Sequence, residues 1–290
     1  MQYEMHLFAV LTNGIKKISL SGSLQQELKE IFSNSYLEYT KEREYIPFDS
    51  GYKPDKSELF QYENFEIEGT PIDLASNSLS VESLDRKDIN LDTIKAIFGA
   101  YYDDNGNLET AIFKVMDKTK IIGNEKSILF NKNTFVKLEE KGLIIPENVD
   151  AIFENGNLLF HSYVRANKAL DMASIFKEAS ATDVYYFLKI GPFNEEDKDK
   201  IENLADSWCR RKISMIRNRN ILDRISLEDI CQHASNHDIV INTDDNNIIE
   251  IPETRKEFKE LLRVLDDDYL KSDLTEERYM TNSKRNLSSN

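Results

Sequence analysis

Cysteine, tryptophan and histidine are scarce in this sequence, at two, one and four residues among 290. Two cysteines, Cys209 and Cys231, cannot form a framework of several disulfides, and as reduced thiols they suit a cytosolic chain. No apolar run approaches the ~20 residues that span a bilayer; VYYFL at 184–188 is typical of the longest. The opening MQYEMHLFAVL shows no basic leader, and LFAVL is too short for a secretory signal. The expectation is an intracellular protein that reaches a membrane only through a partner. A glycine-rich phosphate loop, a G-x-S-x-G elbow and a repeat of fixed period are all missing, which leaves nucleotide hydrolysis and serine-type acyl transfer without support. Positive charge is also in deficit, with 37 Lys and Arg against 52 Asp and Glu and a formal charge of −15. That balance opposes bulk attraction to nucleic acid or anionic lipid.

Apolar residues make up 40% of the chain and aromatics 10%, enough to bury a substantial core. MHLFAVLTNGIKKISLS reads as a hairpin turning at Asn13-Gly14. SLQQELKEIFSNSYLEYTKE has helical spacing at Leu24, Leu28, Ile31 and Phe32. Residues 45–60 are turn-rich, with Pro47, Gly51 and Pro54 as breakers. From 94 to 163 strands dominate: IKAIFGAYY and LETAIFKVM around Asn105-Gly106, then KSILFN, TFVKLEEKGLII and VDAIFENGNLLFHSY. After about 165 the pattern turns helical, in ANKALDMASIFKEA, EEDKDKIENLADSWCRRKISMIRN, LEDICQHASN and RKEFKELLRVLDDDYL; INTDDNNIIEIP reads as a strand pair between the last two. Strands followed by helices predict an α+β fold, with a hairpin-rich antiparallel sheet and then a helical C-terminal half. The expected division is an N-terminal α+β region at 1–95, a second α+β domain at 96–275 and a tail at 276–290.

One stretch runs against the overall charge. SWCRRKISMIRNRNILDR, residues 207–224, holds six Arg or Lys and one Asp, so it carries +5 and the remainder −20. Arg210, Arg217 and Arg224 are seven apart and form one helical stripe, while Arg211, Lys212 and Arg219 fall on another side. Asn218-Arg219-Asn220 is the expected break. Two readings compete. One is a solvated helix balancing nearby carboxylates. The other is a phosphate-contacting surface, favoured by five Arg to one Lys, because a guanidinium holds two phosphate oxygens at once.

Other constellations carry less. Cys231, His233 and His237 give C-x-H-x₃-H without a clear fourth ligand, although Asp229 or Asp238 could serve; the segment also reads as an ordinary helix end, so no metal is expected. Glu257-x-Lys259 and Glu27-x-Lys29 sit on predicted helices rather than on nuclease-like strands. Asp266, Asp267 and Asp268 lack the alternation of a calcium loop and read as a solvated helix face. His161 lies on a strand, where a structural role is expected. Tyr101-Tyr102 and Tyr185-Tyr186-Phe187 could stack on bases, but their apolar neighbours point to burial. No catalytic residue and no cofactor are expected.

Four stretches carry a resemblance: IPFDSGYKPDKSELFQYENFEI (46–67), LIIPENVDAIFENGNLLFHSY (143–163), RRKISMI (210–216) and LLRVLDDDYLKSDLTEERYMTNSKRNL (261–287). Together they resemble the KwaB family, the soluble subunits of Kiwa bacterial antiphage defence systems. The resemblance implies a cytosolic protein that self-associates as a homodimer or larger homo-oligomer. It works with a four-helix-type membrane protein of the KwaA kind, which recruits it to the inner face of the membrane. The resemblance also implies binding to duplex phage DNA, blocking replication and transcription without established cleavage. On the phosphate-contacting reading of the basic stretch, Arg210, Arg211, Lys212, Arg217, Arg219 and Arg224 contact phosphates, which position a protein without reading sequence. A metal-dependent nuclease, and an adaptor that binds the membrane protein but no nucleic acid, are the alternatives.

Overall fold

The computed structural model describes residues 4–49, 51–84, 91–122, 128–131, 134–137, 142–172, 181–281 and 283–284. These fall into two compact units, one of residues 1–48 and 54–173, the other of 49–53 and 174–290.

The first unit opens with β1 (Glu4–Leu11) and β2 (Gly14–Ile18), joined at Asn13-Gly14, where Gly14 takes φ +121°. A glycine is needed there because other residues avoid that region. Helix α1 (Gly22–Thr40) follows and buries Leu28 and Phe32, while Leu24 and Ile31 stay partly exposed. Two strands, β3 (Glu44–Pro47) and β4 (Glu58–Tyr62), emerge from the stretch expected to be turn-rich; its breakers sit between or at the ends of the strands. After α2 (Pro71–Ala75) come the paired strands β5 (Ala96–Tyr102) and β6 (Leu108–Val115). Next are β7 (Ile121–Ile122), β8 (Ile128–Asn131), β9 (Thr134–Lys137) and β10 (Gly142–Leu143), which pair as β7–β10 and β8–β9. Strands β11 (Ala151–Glu154) and β12 (Asn157–Phe160) turn at Asn155-Gly156, both with positive φ as this hairpin turn requires.

The main sheet runs β2-β1-β5-β6-β11-β12-β4-β3, antiparallel except for the parallel β3–β4 pair. Every residue of β5 is buried. Gly99 at its centre admits α1, because a Cβ there would lie 3.1 Å from the Phe32 ring. Across the strands Phe8, Phe98 and Phe113 stack, with centroids 5.1 and 4.6 Å apart, as facing residues in register do. Helix α3 (Tyr163–Leu170) packs on β5 and β6. It is shorter than expected, because Asp171 turns left-handed at φ 51° and ends it; positions 173–179 of that predicted helix lie outside the described residues.

Beneath this sheet sits a charged cluster. Lys114 is fully buried, with Nζ donating to Ser35 Oγ at 2.9 Å and to the Glu147 carbonyl at 2.7 Å. Desolvation lowers its pKa to about 8, against the partial support of Asp150, Glu147 and Glu38. Buried Asp150 accepts from Val115 N–H and pairs with Arg165 through Nε at 2.6 Å and Nη2 at 3.2 Å. Tyr101 and Tyr102 are buried as expected.

The second unit is helical: α4 (Ala181–Ile190), α5 (Lys198–Leu204), α6 (Ser207–Asn218), α7 (Leu227–Asn236) and α8 (Arg255–Leu265), then the hairpin β13 (Tyr269–Lys271) and β14 (Arg278–Met280). Its core gathers Phe187, Ile201, Cys209, Ile213, Ile216, Ile230, Phe258 and Leu262. Capping boxes start α7 (Ser226, Asp229) and α8 (Thr254, Glu257). Thr243 pairs with Ile249 across the predicted Asp245-Asn246 turn.

The α+β class and its order of sheet then helices are as the sequence predicts. The divisions are not. A cut at residue 95 would separate β1 from its partner β5, so the units part near residue 173 instead. The predicted tail, from residue 276, takes in all of β14; residues 282 and 285–290 lie outside the described set. One long predicted helix is two, α5 and α6, because the chain extends at Ala205 and Asp206 caps a new start.

Candidate nucleic-acid interface

Helix α6 starts where Asp206 Oδ1 accepts the Cys209 N–H at 3.0 Å, satisfying a donor that the first turn cannot pair internally. The other oxygen of Asp206 takes Lys259 Nζ at 2.6 Å. That hydrogen bond, with the cap, holds the Asp206 carboxyl well below the usual carboxylate range. Burial and the neighbouring Asp206 push the Cys209 thiol up to about 11, which leaves it inert as a nucleophile. The helix ends at Asn218, and Asn220 turns left-handed at φ 49°, the expected break.

The six cations of this stretch separate. Arg211 is exposed, and its Nε donates to the Ser207 carbonyl. Arg210 and Arg217 are half-buried on another side of the helix, where Arg217 lies over the Tyr186 ring at 5.2 Å. Arg224, beyond the helix, is exposed and donates to the carbonyls of Asn220 and Arg219. Lys212 and Arg219 turn inward. Lys212 is 5% exposed, and its Nζ meets Asp266 Oδ2 at 2.5 Å and Asp268 Oδ2 at 2.6 Å. Arg219 reaches Asp266 Oδ1 through Nη1 and Asp49 Oδ1 through Nη2, both at 3.1 Å.

The structure therefore withdraws Lys212 and Arg219 from the set assigned to phosphates. They are seven apart, on the side of α6 that α8 and its C-terminal acids cover. Opening these pairs to reach a phosphate would strand buried carboxylates, at a cost of several kcal/mol.

The acids are corrected with them. Asp266 and Asp268, expected on a solvated face, are 0% and 1% exposed. Helix α8 ends at Leu265, and Asp267 turns left-handed at φ 56°, so its neighbours on each side point inward. Lys284 completes the group, with Nζ donating to the Asp266 carbonyl and to Asp268 Oδ1 at 3.1 Å. Three cations and three carboxylates (Lys212, Arg219 and Lys284 with Asp49, Asp266 and Asp268) thus balance in one network, buried at Lys212, Asp266 and Asp268 and partly exposed at the other three. Gly51 packs beneath it, since a Cβ there would lie 2.4 Å from Arg219 Nη2.

One further expectation changes. Tyr185 and Tyr186 are 38% and 46% exposed, whereas Phe187 alone of that trio is buried; successive helical residues face different ways, so one apolar run cannot all enter the core. His233 and His237 do come together, with ring centroids 5.0 Å apart. Among the described residues no group of three or more His, Cys, Asp or Glu is placed to hold a metal ion.

Sequence reading missed one group. Trp208, half-buried on α6, has Lys212 Nζ at 5.8 Å, Lys259 Nζ at 5.5 Å and Arg263 Cζ at 5.3 Å from its ring centroid. Each such contact contributes about 0.5–1 kcal/mol at a partly exposed site. The i, i+4 spacing of Lys259 and Arg263 marks one face of α8, but some fifty residues of chain hide their neighbour.

Among the described residues no helix is long and apolar enough to cross a membrane. No curated protein and no solved structure matches the chain. The family model described as Kiwa protein KwaB-like matches residues 104–275, more than half of the chain and all of α6 and α8. The chain thus belongs to the KwaB-like family, the family of a Kiwa antiphage defence component.

Proposed function

We propose that this protein is the DNA-binding, non-cleaving subunit of a Kiwa antiphage system. It acts in the cytoplasm as a homodimer or larger homo-oligomer and is recruited to the membrane by a four-helix-type partner of the KwaA kind. There it holds duplex phage DNA through its sugar–phosphate backbone, blocking replication and transcription. The observation that carries this reading is the family match across 104–275. Within that span the arginines Arg210, Arg211 and Arg217 of α6, with Arg224 after it, concentrate positive charge on a molecule of net charge −15. Backbone contacts of this kind tolerate any sequence, as defence against unfamiliar DNA requires.

The test is duplex retention in a salt-titrated gel shift. Four phosphate contacts give a log–log slope of about −3.6. The quadruple variant R210Q/R211Q/R217Q/R224Q is expected to lose that slope and most of its low-salt affinity. Unchanged retention refutes the assignment. Loss of membrane-partner capture with DNA binding intact points to the adaptor. Nicking of plasmid in Mg²⁺ or Mn²⁺ refutes the non-cleaving role.

A further inference from the structure

The withdrawal of Lys212 and Arg219 leaves the basic stretch two cations short, and the fold brings two others to the same place. Helices α6 and α8 pack together, and Trp208 is where their cationic sides meet. Of the three cations around its indole, Lys212 answers to Asp266 and Asp268, and Lys259 to Asp206. Arg263 is set against the ring, and among the described residues no carboxylate pairs with it. Both Lys259 and Arg263 are only half-buried. Arg211 lies one turn from Trp208 on the solvent side of α6. The surface therefore runs from Arg211 across the indole edge to Arg263 and Lys259. The aromatic face holds the Arg263 head without neutralising it, whereas Lys259 beside it also pairs with Asp206.

We propose that the seam between α6 and α8, rather than α6 alone, is the phosphate-binding surface, with Arg263 and Lys259 contacting the duplex backbone beside Arg211. This rests on the DNA-binding reading above and adds residues that lie outside the basic stretch. Arg263 suits the role best, as a bidentate donor poised on a rigid helix.

The experiment compares full-length wild type, R263Q, K259Q/R263Q, R263K and R211Q/R224Q on one random-sequence duplex from 50 to 300 mM salt, each variant first matched to wild type by circular dichroism and melting. Loss of one phosphate contact lowers the salt slope by about one. R263Q is expected to lower it by about one and K259Q/R263Q by about two, with R263K near wild type. R263Q guards against a folding artefact, because Lys259 also supports the Asp206 cap. If wild type binds with a salt slope and R211Q/R224Q weakens it while R263Q and K259Q/R263Q do not, the seam is refuted and the DNA-binding reading stands. If wild type shows no salt-dependent retention, that reading fails and the seam falls with it.

Discussion

Each unit of the molecule buries a lysine, and the two solve the same problem in opposite ways. Lys114, under the sheet of the first unit, is held by a hydroxyl and a carbonyl, with acids only near enough to assist. Lys212, among the helices of the second, is clamped by two carboxylates that are themselves inaccessible. The first is a desolvated charge that neutral oxygens only partly compensate. The second is one member of a balanced network in which each charge justifies another. Burial alone therefore says little about what a lysine contributes; its partners decide.

The largest effect expected from breaking this contrast comes from Lys212→Met. It leaves Asp266 and Asp268 buried against fewer cations, and about 3–5 kcal/mol of stability should be lost in urea unfolding. A loss below about 1 kcal/mol would show that the network is less cohesive than its geometry implies.

Lys114 sharpens the comparison through pH. Its folded pKa of about 8 lies below the ordinary 10.5, so between these values the unfolded chain binds the more protons. Stability from this group thus rises with pH across about 8 to 10.5, and its penalty is fully present below 8. The shift corresponds to about 3 kcal/mol. The difference in unfolding free energy between wild type and Lys114→Met should change by roughly that amount over the window. A flat difference would mean that Lys114 titrates normally.

The smallest effect is expected at Gly51→Ala. The added methyl displaces the Arg219 head from Asp49, and because that head can swing, the cost should be near 1 kcal/mol. Comparison with Arg219→Lys shows whether the loss comes through the ion pair; equal losses support that route.

Much of the first unit was legible because its signals are local. Asn13-Gly14, Asn105-Gly106 and Asn155-Gly156 need only adjacent residues to define hairpins, and alternation along the strands does the rest. Strands β3 and β4 were not legible. Their pairing depends on partners distant in sequence, and the prolines and glycine around them read as loop. The candidate site was half legible. Charge density at 210–224 is a property of composition, but whether a given cation faces solvent depends on what packs beside its helix.

The sequence by itself determined the α+β class, the hairpin turns, the break after Asn218 and the concentration of positive charge on an acidic chain, because each follows from residues within a few positions of one another. Only the tertiary structure decided that Lys212 and Arg219 turn inward to Asp49, Asp266 and Asp268, and that Lys259 and Arg263 come to lie beside Trp208. The reason is physical: a charge chooses its partner by distance and dielectric, and neither is defined until the helices have packed.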